Sequence, residues 1–195
     1  MAALILFSYL AGGIPTGYLV VKRLYGYDIR TRGSGNPGTA NVYRNAGALP
    51  GAITLLVDAL KGFIPVYLGM QFYPGLRGLA IALGAAAIVG HNWMPFLGFK
   101  GGKGVATSAG VFTALLPLPM MITAGAFLLA VKISGHISVG SMTGAIVLPL
   151  ATLLYRGPHA FTAAAAGAGA MILIKHVSNL KRLLNHRELG LHGRT

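Results

Sequence analysis

Long apolar runs, separated by glycine, proline and basic residues, limit the fold of this chain more than any other feature. Seven such runs can be drawn, near 3–21, 51–70, 79–97, 105–116, 118–131, 139–155 and 159–175. A helix of about 20 apolar residues crosses a bilayer, whose interior tolerates no unpaired backbone groups facing lipid. Since 54% of the 195 residues are hydrophobic, one soluble core could not bury them. The sequence therefore predicts an all-α polytopic membrane protein with seven transmembrane helices, some of them short.

The fourth and fifth runs leave the number of crossings open. Each is shorter than a full crossing, and Pro117 with Pro119 interrupts any helix that would join them. The two runs are therefore either separate spans or the halves of one broken helix, which gives seven crossings or six.

The distribution of basic residues favours seven crossings. In that arrangement, 13 of the 16 lysines and arginines lie on one side of the membrane or at its border. That side consists of the loops 22–50, 98–104 and 132–138 and the tail 176–195. Six crossings would put the basic tail opposite the basic first loop. Because short loops rich in Lys and Arg stay in the cytoplasm, we expect a single transmembrane domain over 1–195 with the N-terminus outside and the C-terminus cytoplasmic.

Acidic residues are scarce, which excludes several kinds of chemistry. Asp28, Asp58 and Glu188 are the only ones, so we expect neither an Asp-rich magnesium cluster nor a catalytic pair of carboxylates. No metal and no cofactor are predicted. The net charge of +13 favours anionic ligands and lipid headgroups over nucleic acid, for which no basic module with interleaved aromatic residues is present. Asp58 and Lys61, one helical turn apart in the second span, form either an ion pair, which we favour, or a proton relay.

The first basic loop has three glycines, Gly33, Gly35 and Gly38, at the spacing of a dinucleotide-binding fingerprint. That fingerprint requires a buried strand before it and a βαβ unit around it, whereas the basic segment 28–32 precedes it here and a membrane helix follows. Polar and basic side chains share the loop, namely Ser34, Asn36, Thr39, Asn41 and Arg44. We interpret it as a flexible loop that binds an anion through backbone N–H groups, polar side chains and the guanidinium.

A second loop, 91–104, ends in the sequence Gly-Gly-Lys-Gly at 101–104, directly before the fourth span. A glycine-rich backbone, the positive end of a helix and a lysine together favour phosphate binding. The loop is not a Walker A motif, because Leu97 occupies the first glycine position and Gly104 replaces the Ser or Thr that holds magnesium. His91 caps the end of the third span in this interpretation.

The tail has leucines at helical spacing among basic residues, which predicts an amphipathic helix on the membrane surface. His176 and Asn179 share one face of that helix. Both side chains could therefore reach a substrate hydroxyl or phosphate.

These three segments resemble, in order, the three cytosolic motifs of the bacterial acyl-phosphate:glycerol-3-phosphate acyltransferase family. The resemblance covers 33–44, then His91-Asn92 with 100–104, and finally 176–180 with Arg187-Glu188. It implies transfer of a fatty acyl group from acyl phosphate to the 1-hydroxyl of sn-glycerol 3-phosphate. The products would be phosphate and lysophosphatidic acid, in the first acylation of phospholipid synthesis.

The resemblance also implies where and with what the protein works. We expect a multi-pass protein of the bacterial cytoplasmic (inner) membrane, with its active site facing the cytoplasm. Its partners would be glycerol 3-phosphate, acyl phosphate and membrane lipid, with no nucleic acid. The sequence leaves the oligomeric state open, although it is compatible with a monomer.

Individual residues acquire roles from the same resemblance. The catalytic candidates are Ser34, Lys103, His176 and Asn179. Glycerol 3-phosphate would be bound by Ser34, Arg44, Lys103 and His176, with Asn179 orienting the site. The acyl phosphate and the developing oxyanion would be held by Thr39, Asn41, Gly101, Gly102 and Thr107. The remaining substrate-binding candidates are Asn36, His91, Gly104 and Glu188. The general base is either His176 or the phosphate of glycerol 3-phosphate.

Two other functions stay open on the residues alone. A transporter of phosphorylated metabolites also uses Pro-broken helices and Gly-rich loops, although some of its charges should lie at mid-membrane rather than in loops. An acyltransferase that takes acyl-CoA as donor is the other alternative, and no adenine-binding signature discriminates it.

Overall fold

The computed structural model describes residues 1–191, and every regular element in that range is a helix. The chain forms two compact units, of which the first is Met1–Leu115 and the second begins at Leu116. Residues 192–195, the end of the predicted cytoplasmic tail, lie outside the described range.

The first unit contains six α-helices and two short 3₁₀ turns within its 115 residues. The helices are α1 (Ala2–Gly12), α2 (Thr16–Tyr25), α3 (Thr39–Ala46), α4 (Ala48–Phe72), α5 (Arg77–Asn92) and α6 (Val105–Leu115), and the 3₁₀ turns are Ile29–Thr31 and Pro95–Leu97. Glycines bring the long helices together backbone to backbone. A Cβ at Gly110 of α6 would overlap the Ala59 carbonyl of α4, and a Cβ at Gly12 of α1 would overlap the Ala87 carbonyl of α5. Small residues at helix contacts are typical of membrane bundles.

The second unit contains four α-helices up to residue 191. These are α7 (Pro117–Ser134), α8 (Ile137–Arg156), α9 (Ala160–Lys175) and α10 (Val177–Leu184). The chain bends by 52° between α9 and α10, at His176. Beyond α10 the tail returns to the α7–α8 turn, where the Leu191 N–H donates a hydrogen bond to the Gly135 carbonyl at 2.9 Å.

The seven predicted apolar runs each coincide with helix, but they differ in length. Among the described residues, five helical stretches are long and apolar enough to cross a membrane, and six if α9 with α10 counts as one span. The 11-residue α6 is only about 16 Å long, roughly half of the ~30 Å apolar core of a bilayer. An all-helical membrane fold is therefore confirmed, whereas the count of seven remains a prediction.

Candidate functional site

The first predicted binding loop folds around the side chain of Asn41. Its amide nitrogen donates to the carbonyls of Ile29 and Arg32, and its oxygen accepts from the Ser34 N–H at 2.9 Å. Asn45 donates to the same oxygen at 3.0 Å. These four hydrogen bonds use both N–H donors and both acceptor lone pairs of the side-chain amide, which is buried. The loop, which we expected to be flexible, is therefore a defined structure.

Glycine is required where the loop passes Asn41. Gly33 has φ +57°, and a Cβ there would overlap the Asn41 side-chain oxygen. The side-chain oxygen of Asn36 accepts a hydrogen bond from the Gly38 N–H at 2.8 Å. This bond forms a turn that leads to α3, which begins at Thr39. Ser34 is left exposed on the outside of the loop. A 3₁₀ turn rather than a strand precedes these glycines, which agrees with rejecting a dinucleotide fold.

Charged and aromatic side chains brace the loop from both sides. The Arg30 guanidinium binds the Asp28 carboxylate at 2.7 Å, and this hydrogen bond lowers the pKa of Asp28 and raises that of Arg30. Arg30 also lies 5.3 Å over the ring of Tyr18. At the other end of α3, the hydroxyls of Tyr25 and Tyr27 donate to its last carbonyls. The loop is thereby fixed to α2.

The second loop is built directly on His91 at the end of α5. The Gly102 N–H donates to the His91 carbonyl at 2.9 Å. A Cβ at Gly101 would overlap that carbonyl, and a Cβ at Gly102 would overlap the His91 ring. Gly104 has φ +81° and packs against the buried amide of Asn92. The glycines thus permit close approach to α5, and the Gly102 N–H is already used within the protein.

The start of α6 presents unbonded backbone donors. Its first bond in this region runs from the Ser108 N–H to the Gly104 carbonyl, so the N–H groups of residues 105–107 have no preceding turn to bind. Within residues 1–191 the buried Thr107 hydroxyl has no hydrogen-bond partner. The half-buried Lys103 precedes this helix end. Donors, helix dipole and ammonium together suit a phosphate.

In the second unit, His176 is held in one tautomer. Its Nδ1 lies 2.8 Å from the Ile172 carbonyl oxygen, and the residue is 3% exposed. A carbonyl only accepts hydrogen bonds, so Nδ1 carries the proton. When the ring is neutral, Nε2 is then the nitrogen that accepts a proton, as a general base requires.

Glu188 connects the tail to α10. Its buried carboxylate accepts hydrogen bonds from the Asn179 amide and, at 2.7 Å, from Arg182 Nε. Burial alone would raise the pKa of Glu188, but interactions with Asn179, Arg182 and Ser138, together with the charge of Arg182, outweigh it and the pKa is lowered. Glu188 is therefore an ionised side chain that orients Asn179.

Comparison with known proteins decides the family. The family described as glycerol-3-phosphate acyltransferase matches residues 2–186. The chain belongs to this family. The glycerol-3-phosphate acyltransferase of Endomicrobium trichonymphae is 43% identical to it over 184 residues, 94% of this chain and 92% of the relative. Glycerol-3-phosphate acyltransferase 2 of Moorella thermoacetica is 43% identical over 188 residues, which cover 96% of both chains.

Two solved structures are similar to this acyltransferase over almost its whole length. One is PlsY, an integral membrane glycerol 3-phosphate acyltransferase, crystallised in its glycerol 3-phosphate form, with a TM-score of 0.92 and 34% identity over 97% of this chain and 94% of that chain. The other is the lysophosphatidic acid form of PlsY, with a TM-score of 0.89 and 33% identity over 97% and 94% of the two chains. The predicted enzyme class and membrane fold are therefore confirmed.

The acyltransferase brings its predicted site residues together in three groups. Ser34, Asn36, Thr39 and Asn41 meet in the first loop, which leads into α3 with Arg44. His91, Gly101, Gly102 and Gly104 meet at the end of α5, next to Lys103 and Thr107. His176, Asn179 and Glu188 meet at α10.

Sequence reasoning missed the residues that hold these groups in place. They include Asn45, Tyr25 and Arg182. Asn45 lies four residues after Asn41, which is a signal only once α3 is known to be a helix.

Proposed function

We propose that this acyltransferase transfers a fatty acyl group from acyl phosphate to the 1-hydroxyl of sn-glycerol 3-phosphate. The hydroxyl oxygen attacks the acyl carbonyl carbon, the bond from that carbon to the phosphate oxygen breaks, and the hydroxyl proton passes to a base. The products are lysophosphatidic acid and inorganic phosphate. A mixed anhydride is already activated, so alignment and charge stabilisation suffice without a covalent intermediate.

One observation carries the proposal. The two similar solved structures are a glycerol 3-phosphate form and a lysophosphatidic acid form of one transferase, which are an acceptor and the corresponding acylated product. The scarcity of acidic residues in this chain, three in all, supports a reaction that depends on cations and backbone donors.

Phosphate binding is assigned to the loops of the first unit. We propose that the start of α6, with Lys103 and the Thr107 hydroxyl, holds one phosphate of the substrate pair. Arg44 and Ser34 contact glycerol 3-phosphate from the first loop. Since the amide of Asn41 is fully used in shaping that loop, we propose that it acts by holding Ser34 rather than by touching substrate.

Proton transfer is assigned to the second unit or to the substrate. The hydrogen bond from Nδ1 of His176 to the Ile172 carbonyl makes Nε2 the acceptor in the neutral ring, which supports His176 as the base. The phosphate of glycerol 3-phosphate remains the other candidate. Asn179, held by Glu188, orients the reacting groups in either case.

The direct test uses the purified acyltransferase and labelled glycerol 3-phosphate. We expect lysophosphatidic acid with acyl phosphate as donor and none with acyl-CoA. If product formed with acyl-CoA but not with acyl phosphate, the donor would be acyl-CoA, and glycerol 3-phosphate would still be the acceptor. No product with either donor, together with uptake of the label into protein-containing liposomes, would indicate a transporter and overturn the proposal.

We further propose seven crossings that include α6, in one domain over 1–195 of the bacterial inner membrane. The N-terminus would lie outside and the loops 22–50 and 98–104 in the cytoplasm. The chain has no cysteine, so single cysteines report topology cleanly. In right-side-out vesicles an impermeant maleimide should label Arg77→Cys at once, and Lys100→Cys and Lys132→Cys, on either side of the α6–α7 pair, only after permeabilisation. The reverse pattern would invert the topology. Labelling of Lys132→Cys but not of Lys100→Cys in sealed vesicles would show that α6 and α7 together make a single crossing.

A further inference from the structure

Two buried ionisable side chains of the first unit, Asp58 and Lys61, have no role in the proposed reaction, and they lie next to a third, His91. Lys61 Nζ lies 2.8 Å from Asp58 Oδ1, which confirms the expected ion pair, and the two side chains are 5% and 2% exposed. His91 Nδ1 lies 3.9 Å from the same Asp58 oxygen. We call Lys61, Asp58 and His91 the buried triad. It joins two successive turns of α4 to the end of α5.

Stability alone does not account for the buried triad. Asp58 lies about 15 Å along α4 from its start, inside a helix long and apolar enough to cross the membrane. Ionisable groups at such depth are expensive to insert. A buried ion pair can often be replaced by apolar side chains of similar volume without loss of stability. Stabilisation of the fold therefore does not explain three such groups, which points to a role in function.

Each end of the buried triad contacts backbone that is not helical. Lys61 Nζ donates to the Ile14 carbonyl at 3.0 Å, at the break between α1 and α2. At the other end, the His91 ring packs against Gly102 so closely that a Cβ at Gly102 would overlap it. The Gly102 N–H donates to the His91 carbonyl. The position of the His91 residue therefore determines where the Gly101–Gly102 backbone lies.

We propose that Lys61 and Asp58 are positioning residues that orient His91 and, through it, set the Gly101–Gly102 turn for acyl phosphate. This inference rests on the proposed function with acyl phosphate as donor, and on the family resemblance, which implies that Gly101 and Gly102 hold that donor. Asp58 attracts the Nδ1 side of the ring, Lys61 holds Asp58 in place, and the Ile14 carbonyl holds Lys61. A displacement of about 1 Å at a reacting group can reduce the rate of an enzyme about 100-fold.

The test removes both charges at once, so that no single charge remains buried without its partner. In Asp58→Asn/Lys61→Met, both replacements are close in volume to the native side chains. We expect the thermal unfolding midpoint in detergent to stay near that of the wild type. The KM for acyl phosphate should rise at least about tenfold, with a much smaller change in the KM for glycerol 3-phosphate.

The matched control is Thr54→Val. Thr54 is a buried polar residue of the same helix whose hydroxyl donates only to its own helix, at the Pro50 carbonyl. This variant should keep wild-type kinetics. If it raised the KM for acyl phosphate as much as the double variant, loss of any buried polar group in α4 would explain the effect and the proposal would fail.

A coupling measurement separates positioning from stability. Gly102→Ala moves the same turn by direct overlap with His91, so its effect on KM should be less than additive with that of Asp58→Asn/Lys61→Met. With Thr54→Val the effect of Gly102→Ala should be additive. Full additivity with the double variant would show that the buried triad does not act through the turn.

The remaining outcomes are also decisive. If the double variant keeps the wild-type KM for acyl phosphate, or unfolds so that activity follows only the amount of folded protein, the buried triad has no positioning role. If the wild type itself makes no lysophosphatidic acid, the proposed function fails, which is a distinct result.

Discussion

The backbone N–H of Ser34 donates a hydrogen bond to the side-chain oxygen of Asn41 at 2.9 Å. This contact joins a loop residue assigned to substrate to a helix residue seven positions later. The same amide binds the Ile29 and Arg32 carbonyls, so one buried side chain sets the shape of the whole first loop.

The first prediction concerns Asn41→Asp. The carboxylate would face the Ile29 and Arg32 carbonyls, to which the native amide donates, and the repulsion should displace Ser34. We expect kcat/KM for glycerol 3-phosphate to fall about 100-fold in steady-state assays. Asn45→Ala, which removes one of the four hydrogen bonds of the Asn41 side chain, is the control and should lose much less activity. Equal losses in the two variants would contradict this account.

The second prediction is a dependence of tail attachment on pH. Hydrogen bonds lower the pKa of Glu188 in the folded protein, so the stabilisation they give is complete above its ordinary value of 4.5 and is lost as the pH falls through the lowered value. Hydrogen exchange of residues 185–191 should therefore show protection at pH 6 to 7 that disappears in more acidic solution.

Glu188→Gln is the control for that experiment. Its neutral side chain should weaken the tail at neutral pH, by about 2 kcal/mol for the loss of a charge-assisted hydrogen bond. Protection should then change little with pH. If protection of residues 185–191 fell with pH in Glu188→Gln as it does in the wild type, Glu188 could not be the titrating group.

The third prediction tests the close contact of α4 and α6. Gly110→Ala places a methyl group on the Ala59 carbonyl, so the helices must separate, and the free energy of unfolding should fall by about 1–3 kcal/mol. Gly167→Ala, at an exposed position of α9 with open space around it, should be neutral or slightly stabilising. Thermal unfolding in detergent measures the stability of both variants. Equal unfolding midpoints would show that α6 separates from α4 without loss of stability.

The fourth prediction addresses the general base. If Nε2 of His176 takes the hydroxyl proton, His176→Ala should reduce kcat by at least about 100-fold. The exposed His159, which stacks on Phe161, supplies the control variant His159→Ala, which should keep full turnover. Near-full turnover in His176→Ala would remove His176 as the base and leave the phosphate of glycerol 3-phosphate in that role.

Much of the fold was predictable because apolar runs in a membrane chain have few alternatives to helix. The run 51–70 became α4 (Ala48–Phe72), and the proline at 117 does begin a new helix after a non-helical Leu116. The eight-residue α3 was not predictable, because it is polar and has no apolar run. It is stabilised by Val42, which packs against Val21 and Ile29 from other elements.

The site, too, has parts that the sequence predicts and parts that it does not. The Gly-Gly-Lys-Gly segment could be recognised because its residues are neighbours in the chain. The function of Asn41 in shaping the loop could not, since it depends on carbonyls at residues 29 and 32 that only the folded chain brings near. The contact of His91 with Gly102 is of the same kind, because the two residues are eleven positions apart in the chain.

The contact of Gly62 and Gly110 with the opposite backbone also bears on which fatty acids the enzyme accepts. The nearest neighbours of these two glycines are backbone carbonyls of the other helix, and this close contact opposes sliding of α6 along α4. If the phosphate held at the start of α6 is that of the donor, donors of every chain length would present it at the same height. Extra methylene groups would then be accommodated at the far, methyl end of the donor, and a change of fatty-acid selectivity would have to be engineered there.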